Sequence, residues 1–170
     1  MSLRPKWLRP TSFARRIEDI SIDQLRENGI AGIIVDLDNT LLGYRATLPA
    51  LGAETWIARA LREGFQVAIV TNNSSKLAHE VAHLLGCPCI HRARKPRSGG
   101  FRAALTVLGT AKDATLVVGD QVFTDVLGAK LFGLRVILTE PLVDSEQWWM
   151  RPLRALERVV LYRVPRYEKE

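Results

Sequence analysis

The most informative segment of the chain reads Ile33-Ile34-Val35-Asp36-Leu37-Asp38-Asn39-Thr40-Leu41-Leu42. Its first three residues are apolar and β-branched, a run typical of a strand that is buried on both faces of a parallel sheet. Two carboxylates follow this strand, those of Asp36 and Asp38. Because open α/β sheets bind their ligands at the C-terminal ends of the strands, the segment predicts a site at that edge of a sheet.

The spacing of the two aspartates bears on what this site would hold. Residues two apart on a regular strand point to the same side, so the carboxylates of Asp36 and Asp38 would repel each other. A hard cation such as Mg²⁺, which prefers oxygen ligands, would relieve that repulsion. The alternative is a solvated turn that happens to contain two aspartates.

Length and composition set broad limits on the protein. The 170 residues are enough for one domain with a full core, and we expect residues 1–170 to form that single domain. No apolar run reaches 18 residues and the N-terminus lacks the apolar centre of a secretory signal, which together favour a cytoplasmic protein. Cys87 and Cys89 are separated only by Pro88, so we expect free thiols rather than a strained disulfide.

The formal net charge of +6 is concentrated in the two tails. Residues 1–16 contain five basic residues and no acidic one, and we expect residues 1–20 to form a basic arm. In residues 145–170, arginines alternate with apolar and aromatic residues. The apolar and aromatic residues are Trp148, Trp149, Leu153, Leu156, Val159, Val160 and Tyr162. This pattern predicts a basic amphipathic segment in peripheral contact with an anionic membrane. The alternative is a helix that packs on the domain or on a second copy.

Five strands are expected to alternate with helices along the chain. The expected strands are 30–36, 65–70, 87–91, 114–118 and 134–138. The expected helices are 51–63, 74–85, 100–108 and 125–132, and a short helix from the capping residue Ser21 to Asn28 precedes the first strand. Alternation of this kind is typical of a parallel sheet with right-handed crossovers. The predicted fold class is therefore α/β, Rossmann-like, with a five-stranded parallel sheet and helices on both faces.

Polar residues follow four of these strands, and parallel strands bring them to one edge. They are Asp36 and Asp38, Thr71 and Asn72, Arg94 and Lys95, and Asp120 and Asp125. A hydroxyl, a lysine and several carboxylates around a cation suit a phosphate group, which a carboxylate can attack.

These four segments resemble the motif set of the haloacid dehalogenase (HAD) superfamily, in the same order and at the ends of the corresponding strands. The closer resemblance is to the capless, subclass III phosphatases of the YqeG type, which are related to phosphatidylglycerophosphate phosphatases. It is carried by Ile69-Val70-Thr71-Asn72-Asn73, by Arg92-Ala93-Arg94-Lys95-Pro96 and by residues 119–128. It covers about residues 20 to 140, and both tails more weakly.

The resemblance implies a role for each site residue. Asp36 would be the nucleophile that forms an aspartyl-phosphate, and Asp38 would act as general acid and then as general base. Thr71, Asn72 and Lys95 would bind the phosphate, with Thr71 and Lys95 counted among the catalytic residues. Mg²⁺ would be held by Asp36, the backbone carbonyl of Asp38 and Asp120, with Asp125 in its outer shell. Asp125 alternatively caps the next helix, and Asn72 alternatively belongs to a turn.

The distances between the motifs leave no room for a cap domain. An open cleft suits a large substrate or one that lies at a surface, and phosphatidylglycerophosphate is the substrate that the resemblance favours. One alternative is a phosphatase for a soluble metabolite or nucleotide. Another is a non-catalytic module that binds RNA or membrane, although nucleic acid is not the expected partner.

One further motif points to different chemistry. His79-Glu80-Val81-Ala82-His83 matches the zinc-protease pattern, and Cys89 could supply a third ligand. The same residues also make an ordinary crossover helix, with Val81, Ala82 and Leu84 among its apolar residues, and we favour that interpretation.

Overall fold

A computed structural model of the protein describes residues 6–143 and 155–157. Six parallel strands form its sheet: β1 (Ser12–Ala14), β2 (Gly32–Val35), β3 (Gln66–Val70), β4 (Cys89–Ile90), β5 (Thr115–Gly119) and β6 (Arg135–Thr139). Their order across the sheet is β1-β6-β5-β2-β3-β4. The strand that precedes Asp36 therefore lies inside the sheet, between β5 and β3.

Five α-helices accompany these strands in the described residues: α1 (Ile22–Glu27), α2 (Leu51–Arg62), α3 (Lys76–Leu84), α4 (Gly99–Leu108) and α5 (Leu127–Phe132). The Ser21 hydroxyl accepts a hydrogen bond from the Gln24 amide at the start of α1, and Ser75 does the same for Ala78 at the start of α3. Both caps satisfy an amide that has no partner within its helix.

The core consists of two clusters, one on each face of the sheet. In β2, Ile33 and Val35 pack in the first cluster with residues of α1, α2 and α3, whereas Ile34 packs in the second with residues of α4 and α5. Successive side chains of a strand point to opposite faces, so the uninterrupted apolar run of β2 serves both clusters. The predicted α/β class, with a parallel sheet covered on both faces, is confirmed.

The strand count is corrected from five to six, because the predicted basic arm contains β1. Ser12–Ala14 pairs with β6, and just before it the Thr11 amide donates to the Val136 carbonyl at 2.8 Å. Three residues are too few to show the alternation from which strands are predicted. Within the described residues, only α2 lies between β2 and β3 and only α3 between β3 and β4, so no cap domain interrupts them.

No helix in the described part of the chain has the length and apolar character needed to cross a membrane. Most of the predicted amphipathic segment, including Trp148, Trp149 and Tyr162, lies outside the described residues. The described part of this segment, residues 155–157, is helical, with Leu156 exposed and Glu157 buried.

Candidate active site

The centre of the site is a buried lysine between two carboxylates. The ammonium nitrogen of Lys95 lies 2.6 Å from Asp36 Oδ1 and 2.6 Å from Asp125 Oδ1. All three side chains are buried. Burial opposes the charged form of Lys95, but the carboxylates of Asp125 and Asp36 outweigh it, so the pKa of Lys95 is raised and the side chain stays positive.

Asp36 follows β2, and its amide continues the sheet by donating to the Val118 carbonyl at 2.9 Å. Burial raises the pKa of Asp36 well above its usual value; the positive charge of Lys95 opposes this rise, and the charges of Asp125 and Asp120 add to it. A cation placed among these acids would act in the same direction as Lys95 and favour the carboxylate form.

Such a cation has a suitable set of ligands. One carboxylate oxygen from each of Asp36, Asp120 and Asp125 lies within 4.8 Å of the others, and all three residues are buried. The single positive charge of Lys95 is smaller than the combined charge of three carboxylates, and a divalent cation would add positive charge among them. Carboxylate oxygens are the ligands that hard divalent cations prefer, so these residues fit such a metal.

Asp125 is itself one of these three carboxylates, and the outer-shell role predicted for it stays a prediction. It belongs to the π-helical turn Val122–Val126 that precedes α5, whereas a helix starting at residue 125 was expected. Its second oxygen, Oδ2, accepts a hydrogen bond from the Gln121 amide at 3.2 Å, so it also stabilises the start of the turn. Gly119 is required here, because a Cβ at this position would overlap the Asp125 side chain.

Asp38 points to a different set of partners. Its carboxylate accepts hydrogen bonds from the Thr71 hydroxyl at 3.2 Å and from the Asn73 side-chain amide at 3.3 Å. Asn39 has a φ of 60°, and its amide donates to the Leu42 carbonyl in the tight turn that follows. The Asp38 carboxylate is thus separate from the cluster of three acids, and the metal contact predicted for its backbone carbonyl stays a prediction.

The segment after β3 connects the other two motifs. The Thr71 hydroxyl, fully buried, also accepts from the Asn73 amide at 2.9 Å. The Asn72 side chain accepts from the Lys95 amide at 2.7 Å and donates to the Lys95 carbonyl at 3.1 Å. Asn72 therefore fixes the backbone that carries Lys95, and its predicted contact with phosphate stays a prediction.

Two residues of this region were not among the predicted site residues. Asn73 contacts Asp38, and its position directly after Thr71-Asn72 was the available signal. Glu157 is 4% exposed, and its Oε1 accepts from the Val122 amide at 2.8 Å, next to the loop that carries Asp120. No signal in the sequence marks Glu157, because it lies among the arginines of the C-terminal segment.

The zinc-protease motif does not form a comparable cluster. His79 and His83 are exposed on α3, and the ring of His79 packs against that of His91 with centroids 4.5 Å apart. Among the described residues, the three aspartates are the one group of His, Cys, Asp and Glu with metal-binding geometry. Cys87 and Cys89 are free thiols, as expected.

Comparisons with known proteins show to which family a chain with this parallel sheet and these acids belongs. A sequence model of the haloacid dehalogenase-like hydrolases matches residues 4–133. The chain belongs to this family of hydrolases. The probable phosphatase YqeG of Bacillus subtilis (strain 168) is 34% identical over 156 residues, which are 92% of this chain and 91% of that protein.

Two further comparisons are informative. Phosphatidylglycerophosphate phosphatase 1, chloroplastic/mitochondrial, of Arabidopsis thaliana is 26% identical over 91% of this chain, which spans about half (47%) of that protein's length. The cobalt-bound deoxy-D-mannose-octulosonate 8-phosphate phosphatase (YrbI) of Haemophilus influenzae superposes with a TM-score of 0.56 at 15% identity, covering 82% of this chain and 91% of that one. The predicted membership of a HAD-type phosphatase group similar to YqeG is confirmed.

Proposed function

We propose that the protein is a Mg²⁺-dependent phosphomonoesterase that works through an aspartyl-phosphate on Asp36, with phosphatidylglycerophosphate as its substrate. The observation that carries the chemistry is the buried Asp36 carboxylate, paired with Lys95 and grouped with Asp120 and Asp125. The name of the Arabidopsis relative supports the lipid substrate, and the absence of a cap from the described residues is compatible with one that lies at a surface.

Two displacements at phosphorus complete the reaction. The Asp36 carboxylate attacks the phosphorus, the ester P–O bond breaks, and Asp38 gives a proton to the leaving oxygen. Asp38 then takes a proton from water as that water attacks the phosphorus, and the bond to Asp36 breaks. Inorganic phosphate is released and the Asp36 carboxylate is restored.

The other residues hold this geometry. The hydrogen bonds from Thr71 and Asn73 orient the Asp38 carboxylate, and Lys95 provides positive charge beside Asp36, where the phosphate would bind. Asp36, Asp120, Asp125 and the backbone carbonyl of Asp38 would hold Mg²⁺, which when bound would neutralise charge on the phosphate and on the acids.

The test is phosphate release by wild type, Asp36→Asn and the control Asp113→Asn, in which an exposed aspartate between α4 and β5 is replaced. Each is given Mg²⁺ or a chelator, with phosphatidylglycerophosphate in mixed micelles or with a panel of soluble phosphomonoesters. We expect the lipid to be hydrolysed with Mg²⁺, the chelator to stop the reaction, and Asp36→Asn to lose roughly a thousandfold or more in rate.

Other outcomes would redirect the proposal. Hydrolysis of soluble esters alone would keep the mechanism and replace the substrate. Full activity of Asp36→Asn would overturn the assignment of the nucleophile. No hydrolysis at all, together with salt-sensitive RNA binding, would favour the non-catalytic module.

We also propose peripheral contact with anionic membranes through the C-terminal arginines. The test variant has Arg158, Arg163 and Arg166 replaced by glutamine and leaves Glu157 unsubstituted. We expect this variant to co-sediment less with phosphatidylglycerol vesicles than wild type. Equal sedimentation of the two proteins would contradict the contact.

A further inference from the structure

The loop that carries Lys95 is the centre of a strongly basic part of the chain. Between Glu80 and Asp113 there is no acidic residue, but there are six basic ones: Arg92, Arg94, Lys95, Arg97, Arg102 and Lys112. Lys95 is buried and paired with two carboxylates, whereas the others are exposed. The exposed positive charges therefore add to the positive charge of Lys95 inside the site.

Alternate residues of this loop point inward and outward. Ala93 and Lys95 are buried, and Arg92 and Arg94 are exposed. The loop backbone is fixed to the end of β3, because the Ala93 amide donates to the Thr71 carbonyl and the Lys95 amide to the Asn72 side chain. The outward direction of the two arginines thus follows from the same contacts that place Lys95.

The backbone of both arginines is in the left-handed region, with φ of 48° at Arg92 and 55° at Arg94. A residue with a Cβ is disfavoured there, and glycine would adopt this conformation more easily. Arginine thus occupies two positions that suit glycine better, and unfavourable backbone of this kind concentrates at functional sites.

Arg92, Arg94 and Arg97 are all exposed. In residues 6–143 and 155–157, no carboxylate forms an ion pair with Arg92, Arg94 or Arg97, although Arg26 and Arg59 of the same protein pair with Glu63. A guanidinium group with free donors suits a phosphate oxygen pair in a bidentate contact.

We propose that Arg94, assisted by Arg92 and Arg97, binds a second phosphate group of the substrate, next to the phosphate that reacts. Lys95 and Arg94 are adjacent, about 3.8 Å apart at Cα, but their side chains diverge, so one residue serves the reacting phosphate and the other a group outside it. The proposal rests on the proposed function and narrows its substrate class to phosphomonoesters that carry a second phosphoryl group, such as a phosphodiester.

Three substrates distinguish binding of a second phosphate group from binding of the reacting phosphate and from attraction to a lipid surface. Para-nitrophenyl phosphate has the reacting phosphate only, glycerophosphoglycerophosphate adds a phosphodiester without acyl chains, and phosphatidylglycerophosphate in neutral micelles adds the lipid. The variant is Arg94→Gln. The control is Arg62→Gln, because Arg62 is an exposed arginine far from the site. It is the last residue of α2, which begins near the C-terminal edge of the sheet, where the site lies, and ends at the opposite edge, before β3.

We expect Arg94→Gln to raise KM about tenfold for both substrates with a second phosphate and to leave para-nitrophenyl phosphate unchanged. The control should match wild type on all three. An equal loss on para-nitrophenyl phosphate would overturn the proposal, because Arg94 would then support the reacting site itself. A loss on micelles alone would also overturn it, in favour of general attraction to a surface.

Failure of the subsite and failure of the proposed function can be told apart. If wild type hydrolyses para-nitrophenyl phosphate but Arg94→Gln has the wild-type KM for glycerophosphoglycerophosphate, the subsite alone is wrong. If wild type hydrolyses none of the three substrates, the phosphatase function fails with it. Equal thermal unfolding midpoints of wild type and both variants establish that the comparison concerns folded proteins.

Discussion

The ammonium nitrogen of Lys95 lies 2.6 Å from Asp36 Oδ1, and both side chains are almost fully removed from solvent. A buried ion pair of this kind stabilises the fold only while both partners are present, because an unpaired buried charge is costly. Here the cation also pairs with Asp125, so its loss would leave two buried carboxylates without the ion pair that they share.

Replacing Lys95 by methionine should therefore lower the free energy of unfolding by about 3 to 5 kcal/mol at pH 7 in the absence of metal. Part of this loss should return with Mg²⁺, which would restore positive charge among the three carboxylates. Urea denaturation with and without Mg²⁺ measures both effects. The control is Lys76→Met at an exposed position, where we expect a change within about 0.5 kcal/mol. Equal stability of the two variants would contradict the argument.

Asn72→Ala tests how Asn72 serves the site. If the side chain positions Lys95 through its two hydrogen bonds, the variant should lose about 1 kcal/mol of stability together with about tenfold in kcat/KM. Both are compared with Ser74→Ala, at the exposed position two residues later. A loss of kcat/KM with unchanged stability would instead indicate a direct contact with the phosphate, as the family resemblance implies.

Glu157 should stabilise the loop that carries Asp120 and Asp125. Its carboxylate accepts from the Val122 amide at the start of a helical turn that has no side-chain cap of its own. Removing the acceptor in Glu157→Ala should cost about 1 to 2 kcal/mol and accelerate hydrogen exchange at the Val122 amide. Glu157→Gln keeps an acceptor and should lose less. The control Glu80→Gln, on the surface of α3, should leave the Val122 amide unaffected; unchanged exchange in Glu157→Ala would refute the role.

The two thiols should react slowly in the folded protein. Burial raises the pKa of Cys87 to about 11 and also raises the pKa of Cys89. Because the thiolate is the reactive form, iodoacetamide should modify Cys87 slowly at pH 8 and faster as the pH rises towards 11. Mass spectrometry of Cys89→Ala isolates Cys87, and the denatured protein gives the reference rate. Rapid modification of folded Cys87 at pH 8 would be inconsistent with its burial.

The sequence was sufficient for five of the six strands and for the grouping of the motifs. The β-branched run before Asp36 indicated a strand with two buried faces, and parallel strands bring their C-terminal ends together whatever the details of packing. This explains why Asp36, Lys95, Asp120 and Asp125 meet as expected.

The contacts that were missed depend on residues far apart in the chain. The ion pair of Lys95 with Asp125 spans 30 residues, and the hydrogen bond of Glu157 to Val122 spans 35. Their geometry depends on how the loops pack, which local patterns do not report. The turn Val122–Val126 shows the same limit, because its π-helical form accompanies the contacts that Asp125 makes with Lys95 and with the Gln121 amide.

The two outermost strands of the sheet are β1, with three residues, and β4, with two. Short edge strands leave few free amide and carbonyl groups to which another molecule could add a strand. Loss of β1 through cleavage after Ala14 would turn the five-residue β6 into an edge, with Ile137, Leu138 and Thr139 newly open to pairing. The first sign of such damage would then be self-association and precipitation of the protein, ahead of any change at Asp36.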